Sequence, residues 1–101
     1  MSRQTLQILL ALAEGPMHGY AIIQDVAERT HGDVRLTAST LYDALARLVD
    51  ETFIRETDRP AGVTDHDARR RYYELTPDGR RAAKEETRRL ERTVALARER
   101  L

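Results

Sequence analysis

Apolar residues recur at helical spacing in four stretches of the chain, and two short runs between the third and fourth read as strands. From Thr5 to Ala13, Leu6, Leu9, Leu10 and Ala13 follow a helical repeat, and Ile8 and Leu12 widen the stripe. Gly15-Pro16 ends that helix. A second helix is expected from about His18 to Thr30, with Ile22, Ile23, Val26 and Ala27 on one face, before His31-Gly32-Asp33 breaks it. Thr37 is suited to cap a third, whose buried stripe is expected to be Leu41, Leu45, Leu48 and Val49. That leaves Ser39, Thr40, Tyr42, Asp43 and Arg47 facing outward. Phe53–Thr57 reads as a short strand and Arg69–Leu75 as its partner, joined by a loop over Asp58–Ala68 that contains Pro60 and Gly62. Thr76 caps the last helix, Pro77 fits its first position and Asp78 complements its dipole.

The last helix carries a second signal. Ala83, Thr87, Leu90, Val94, Ala97 and Leu101 are separated by 4, 3, 4, 3 and 4 residues, the seam of a coiled coil. A helix of roughly 24 residues outruns a domain whose other helices are near a dozen, so part of it should project and need a partner. The alternative is that the stripe packs on its own domain. The fold class expected is mainly α with a β-hairpin wing. A winged helix-turn-helix DNA-binding domain would span residues 1–76, and a long C-terminal dimerisation helix residues 77–101.

Composition sharpens this picture in places. With 101 residues the chain is one domain, and the absence of Cys excludes disulfides, thiolate metal sites and a cysteine nucleophile. No run of about 18 apolar residues exists to span a membrane, and no signal-peptide pattern opens the chain, so a cytoplasmic protein is expected. Seventeen basic and 17 acidic residues cancel. Residues 1–36 hold 3 basic and 4 acidic groups, 37–76 hold 6 and 8, and 77–101 hold 8 and 5. Nucleic-acid binding must therefore rest on local placement rather than a bulk basic field. Sixteen of the basic residues are Arg, which suits bidentate contacts but also follows from a GC-rich genome.

The second helix of a helix-turn-helix enters the major groove, where each base pair shows a distinct donor and acceptor pattern. Ser39, Thr40 and Tyr42 lie near the start of that helix, within reach of base edges, and Arg47 one turn on suits a phosphate. Two alternatives stay open: a solvated polar face that touches nothing, and Tyr42 half-buried against the second helix. His18 and Tyr20 open the second helix, whose N-terminus tends to face phosphate, although Tyr20 serves equally as a packing residue. Arg69, Arg70 and Arg71 alternate faces, so Arg69 and Arg71 share one surface and Arg70 the other. Arg59 is placed to enter a minor groove. Of Tyr72 and Tyr73, one should be core and the other near the DNA face; Tyr72 is taken as the interface residue.

An enzyme is not expected. The chain has no Gly-rich phosphate loop, nucleophile elbow or zinc-ligand spacing, and Asp65-His66-Asp67 sits in a loop where consecutive residues rarely converge on a metal. No metal or cofactor is expected. The rival from another class is a winged helix that docks a protein without reading DNA.

Three motifs in order carry a family resemblance: Glu14-Gly15-Pro16-Met17-His18-Gly19-Tyr20, Ser39 through Leu48 (Ser-Thr-Leu-Tyr-Asp-Ala-Leu-Ala-Arg-Leu), and Arg71-Tyr72-Tyr73-Glu74-Leu75-Thr76-Pro77-Asp78-Gly79. Over essentially its whole length the chain resembles the PadR family of transcriptional regulators, and its short tail resembles the small subgroup with one C-terminal helix. The resemblance implies a bacterial homodimeric repressor that binds a double-stranded DNA operator. Regulation stays open between a small-molecule effector of unspecified identity at the dimer interface and no effector. Two positions depart from the family pattern: Asp43 stands where Pro usually follows the Tyr, and Thr52-Phe53-Ile54 stands where Gly-Leu-Ile is common.

Overall fold

A computed structural model of the chain describes residues 1–63 and 70–101. Arg69 and the Asp65-His66-Asp67 cluster lie outside the described residues. Seven elements follow in order: α1 (Arg3–Ala13), β1 (Met17–His18), α2 (Gly19–Arg29), α3 (Ala38–Asp50), β2 (Ile54–Thr57), β3 (Tyr72–Leu75) and α4 (Pro77–Arg100). The fold is mainly helical with a small antiparallel sheet, a winged helix followed by a long C-terminal helix.

Each helix starts where a side chain can accept an orphan backbone N–H. Ser2 Oγ accepts from Thr5 at 3.1 Å, His18 Nδ1 from Ala21 at 3.2 Å, Thr37 Oγ1 from Thr40 at 3.1 Å and Thr76 Oγ1 from Gly79 at 3.0 Å. α2 and α3 end in the same way. His31 and Thr52 take left-handed φ of 51° and 63°, and each ending is closed by a pair of bonds. Gly32 N–H reaches Ala27 O and His31 N–H reaches Glu28 O; Phe53 N–H reaches Leu48 O and Thr52 N–H reaches Val49 O. The missing glycine at Thr52 is thus met by a β-branched residue held in a strained conformation.

The core gathers Ile8, Leu9 and Leu12 of α1, Ile22 and Val26 of α2, Leu41, Leu45 and Leu48 of α3, and Ile54, Tyr73 and Ala83. Three expectations are corrected here. Leu10 is 39 % exposed and Ala13 is exposed, because α1 buries the face of Thr5, Ile8, Leu9 and Leu12. Val49 is 38 % exposed and Ala44 takes its place, lying nearer the centre of the inward face of α3. The hairpin is a three-stranded sheet in the order β1-β3-β2, with Met17 and His18 paired to Tyr73 and Tyr72. Two residues are too few to show periodicity, and their partner lies far along the chain.

One corner ties α3 to α4. Thr76 Oγ1 donates to the Thr52 carbonyl at 2.6 Å, and Thr76 N–H donates to Phe53 O at 3.1 Å. Gly79 lies directly over that Phe53 carbonyl: a Cβ there would stand 2.0 Å from its oxygen. α4 then leaves the domain. Its buried residues, Gly79, Ala83 and Glu86, all lie in its first half. The longest dimension is 52 Å against 28 and 25 Å for the others.

Candidate nucleic-acid interface

The outward face of α3 carries Ser39, Tyr42, Asp43 and Arg47 in exposed positions, with Thr40 half-buried. The buried Leu41, Ala44, Leu45 and Leu48 hold the opposite face, so polarity and packing together fix which side of the helix is presented. Thr40 has one lone pair engaged already, accepting from the Thr37 hydroxyl at 2.9 Å. Tyr42 is 52 % exposed, yet its hydroxyl end rests against the start of α2. A Cβ on Gly19 would lie 2.8 Å from that oxygen, which is why glycine fits there. The Tyr42 ring is thus exposed while its tip touches the second helix.

The N-terminus of α2 continues this surface. Tyr20 is 56 % exposed, and the Arg70 guanidinium lies 6.0 Å from its ring centroid. Arg70 Nη1 also stands 3.1 Å from His18 Nε2. A neutral imidazole accepts at one nitrogen only, so the Ala21 cap on Nδ1 and an Arg70 bond to Nε2 compete. His18, Tyr20, Arg70 and Tyr72 therefore form one cluster. Within it the expectation for Tyr72 is corrected: it is buried, 5 % exposed, and meets the His18 ring edge-on at 5.4 Å. β3 is the middle strand, and β1 with His18 covers the side that a two-stranded wing would leave open. Tyr72 positions His18 rather than standing on the surface itself.

Arg70 and Arg71 diverge as alternation requires. Arg71 Nε stands 3.7 Å from Glu56 Oε1 across the sheet, while Arg70 turns to α2. Burial, then the Glu56 carboxylate, raises the neighbouring Tyr73 phenol above its ordinary range, and Arg71 partly opposes this. Arg59, Arg70 and Arg71 share a polar cleft with Glu56, Asp58 and Tyr72 on the wing. Arg55, in contrast, is bound to Glu74 at 2.7 Å. A path thus runs from the α3 face through Gly19 and Tyr20 to the arginines of the wing.

The proposed dimer stripe is exposed where it leaves the domain. Ala83 is buried, Thr87 is exposed and Ala97 is half-buried. Leu90, Val94 and Leu101 are exposed at 41, 49 and 104 %. Thr87, Leu90, Val94 and Ala95 line a shallow groove along α4, bordered by Glu91 and Arg98. Among the described residues no three His, Asp or Glu side chains gather as a metal site, and no helix is long and apolar enough to cross a membrane.

The match to known proteins is specific. Residues 8–85 match the transcriptional regulator PadR-like family. The chain belongs to that family. A transcriptional regulator from Clostridium thermocellum is similar in structure, with a TM-score of 0.80 at 28 % identity, covering 97 % of this chain and 89 % of the other. A PadR family regulator from Clostridium difficile shares the fold at a TM-score of 0.79 and 20 % identity, covering 97 % of both chains. Bacillus subtilis PadR in complex with operator DNA shares it at a TM-score of 0.72 and 24 % identity, over 86 % of this chain and 48 % of that one. In sequence, an uncharacterized 37.1 kDa protein of transposon TN4556 in Streptomyces fradiae is 41 % identical over 73 residues. Those residues are 72 % of this chain, which spans only 19 % of that relative's length. The PadR-like match extends from α1 into α4 and covers the surface from α3 to the wing, while the α4 stripe beyond Ala83 lies outside it.

Sequence reasoning missed two things at this interface. They are Gly19 and Ala46, although both stand inside the family motifs. Ala46 lies on the outward side of α3, which becomes clear once Ala44 replaces Val49 in the buried stripe.

Proposed function

We propose that this PadR-like regulator is a homodimeric repressor that binds a pseudo-palindromic operator. The observation that carries this is the continuous surface from the exposed polar face of α3 to Arg70 and Arg71. A helix of that face fits the major groove, and the wing beside it meets flanking backbone or minor groove. The operator complex of Bacillus subtilis PadR supports the reading, since that protein shares the fold. In this assignment Ser39, Thr40 and Tyr42 address base edges, while Arg47, Arg59, Arg70 and Arg71 address phosphates. His18 and Tyr20 hold the entrance of α2 against the backbone.

The second copy would cover the α4 stripe of Leu90, Val94, Ala97 and Leu101, which its own domain leaves exposed. Two protomers related by a two-fold axis would set two α3 helices on half-sites about one helical turn apart. Repression would follow by occlusion of polymerase. The test is binding of a promoter duplex by wild type, Arg70→Ala/Arg71→Ala and Tyr42→Ala. The arginine pair should weaken all sequences alike, and Tyr42 should change the ranking of sequences. Unchanged affinity and ranking in both variants would overturn the assignment.

A further inference from the structure

The outermost line of α3 is not basic. Counting about 100° per residue from the centre of the buried stripe, Ser39, Asp43, Ala46 and Asp50 fall within about 30° of the direction pointing away from the core. Tyr42 and Arg47 flank that line, each about 70° to one side. Of the two carboxylates on that line, Asp43 lies near the middle of the helix and Asp50 at its end. Asp43 is exposed, and no hydrogen bond or ion pair engages it among the described residues. Ala46, one turn further along, offers no donor, and Arg47 at i+4, the neighbouring cation on the helix, forms no ion pair with Asp43.

A carboxylate at this point faces two opposing effects. Phosphates on either side of a major groove repel it, and this acts on every sequence. Hydrogen bonds from an exocyclic amino group attract it, and these exist only on some base pairs. Cytosine N4 is a donor without an adjacent acceptor on its own groove edge. Adenine N6 stands beside the N7 acceptor, which repels an anion, and guanine and thymine present acceptors. We propose that Asp43 is a further specificity-determining residue of the interface, accepting from a cytosine amino group so that each half-site carries a C·G pair beneath it. This rests on the DNA-binding reading above and adds the base that it selects. Asp43 lowers affinity for other sequences and gains back affinity only on the matching one, so it works chiefly by rejection.

The experiment is selection from a duplex pool with a randomised core, using the full chain as wild type, Asp43→Ala and Asp43→Asn, with the retained duplexes sequenced. Wild type should retain C·G at one position in each half-site, by about 5- to 150-fold over other pairs, the range of a single mismatch of about 1–3 kcal/mol. Asp43→Ala should keep the rest of the motif and lose preference at that position, while binding mismatched duplexes more tightly than wild type does. Asp43→Asn should move the preference to adenine, whose N6 and N7 match an amide. If Asp43→Ala retains the wild-type motif at every position, this inference fails and the DNA-binding reading stands. If wild type retains no motif, both fail.

Discussion

Replacing Gly79 with Ala tests the corner that joins α3 to α4. In the third position of a helix this exchange normally stabilises, because Ala gains about 1 kcal/mol in helix propensity. Here the added Cβ would stand 2.0 Å from Phe53 O and 2.8 Å from Phe53 C, where real contacts are never below 3.0 Å. The obstruction is backbone, so relief requires a shift of at least about 1 Å, a displacement in the range where overpacking costs about 1–3 kcal/mol. That shift strains the bonds that share the corner, Thr76 N–H to Phe53 O at 3.1 Å and Thr76 Oγ1 to Thr52 O at 2.6 Å. Each contributes about 0.5–1.5 kcal/mol. After subtracting the propensity gain, Gly79→Ala should cost about 1–5 kcal/mol. At about 4–8 °C per kcal/mol for a domain of this size, Tm should fall by at least about 4 °C. Thermal unfolding followed by far-UV circular dichroism measures it. A variant that melts at or above wild type would refute the close approach of α4 to Phe53. Gly19→Ala is the internal comparison: its Cβ meets the Tyr42 hydroxyl at 2.8 Å and the Leu41 Cδ2 at 3.2 Å, side-chain ends that can move, so it should cost less.

Thr52→Gly should raise stability by about 1 kcal/mol, since a non-glycine residue at φ 63° carries a left-handed penalty; an unchanged melting temperature would contradict the strain. Leu90→Glu with Val94→Glu should convert a dimer to a monomer in sedimentation without loss of helix content, and a dimer that persists would place the interface elsewhere. Glu86 supplies a pH test. Hydrogen bonding from Arg89 holds its carboxyl below the ordinary value, so its stabilisation is present above the unfolded carboxylate range and is lost as pH falls through the lower folded value. Glu86→Gln should therefore flatten the acid limb of stability against pH, and an acid limb identical to wild type would remove Glu86 from it.

Much of this arrangement is legible in the sequence because periodicity and caps point the same way. Thr37 before Leu41, Leu45 and Leu48 fixes α3 and its outward face, and Thr76-Pro77-Asp78 fixes the start of α4. The misreadings have a common cause, which is that neighbours decide what a repeat leaves open. α1 holds apolar side chains around most of its circumference, so spacing alone does not say that Leu10 faces outward. Val49 draws attention by size, whereas small Ala44 sits closer to the inward axis. Tyr72 alternates with Tyr73 as a strand demands, yet both are buried: β1 lies along the second edge of β3 and sets the His18 ring against Tyr72, and a two-residue strand leaves no pattern to read. The contacts of Gly19 and Gly79 are likewise properties of the assembled fold.

Specific operator binding would come from the α3 face and the wing together. The direct measurement is titration of the protein into a fluorescent duplex from upstream of its own gene, beside a scrambled duplex, from 50 to 200 mM salt. With Arg47, Arg59, Arg70 and Arg71 from each protomer there are up to about eight phosphate contacts, for which affinity should fall by about 10³–10⁵-fold over that range. The expected result is tighter binding to the upstream duplex at every salt concentration, with that steep loss. Equal binding to both duplexes would contradict specific recognition, and affinity that hardly responds to salt would favour a winged helix that docks a protein.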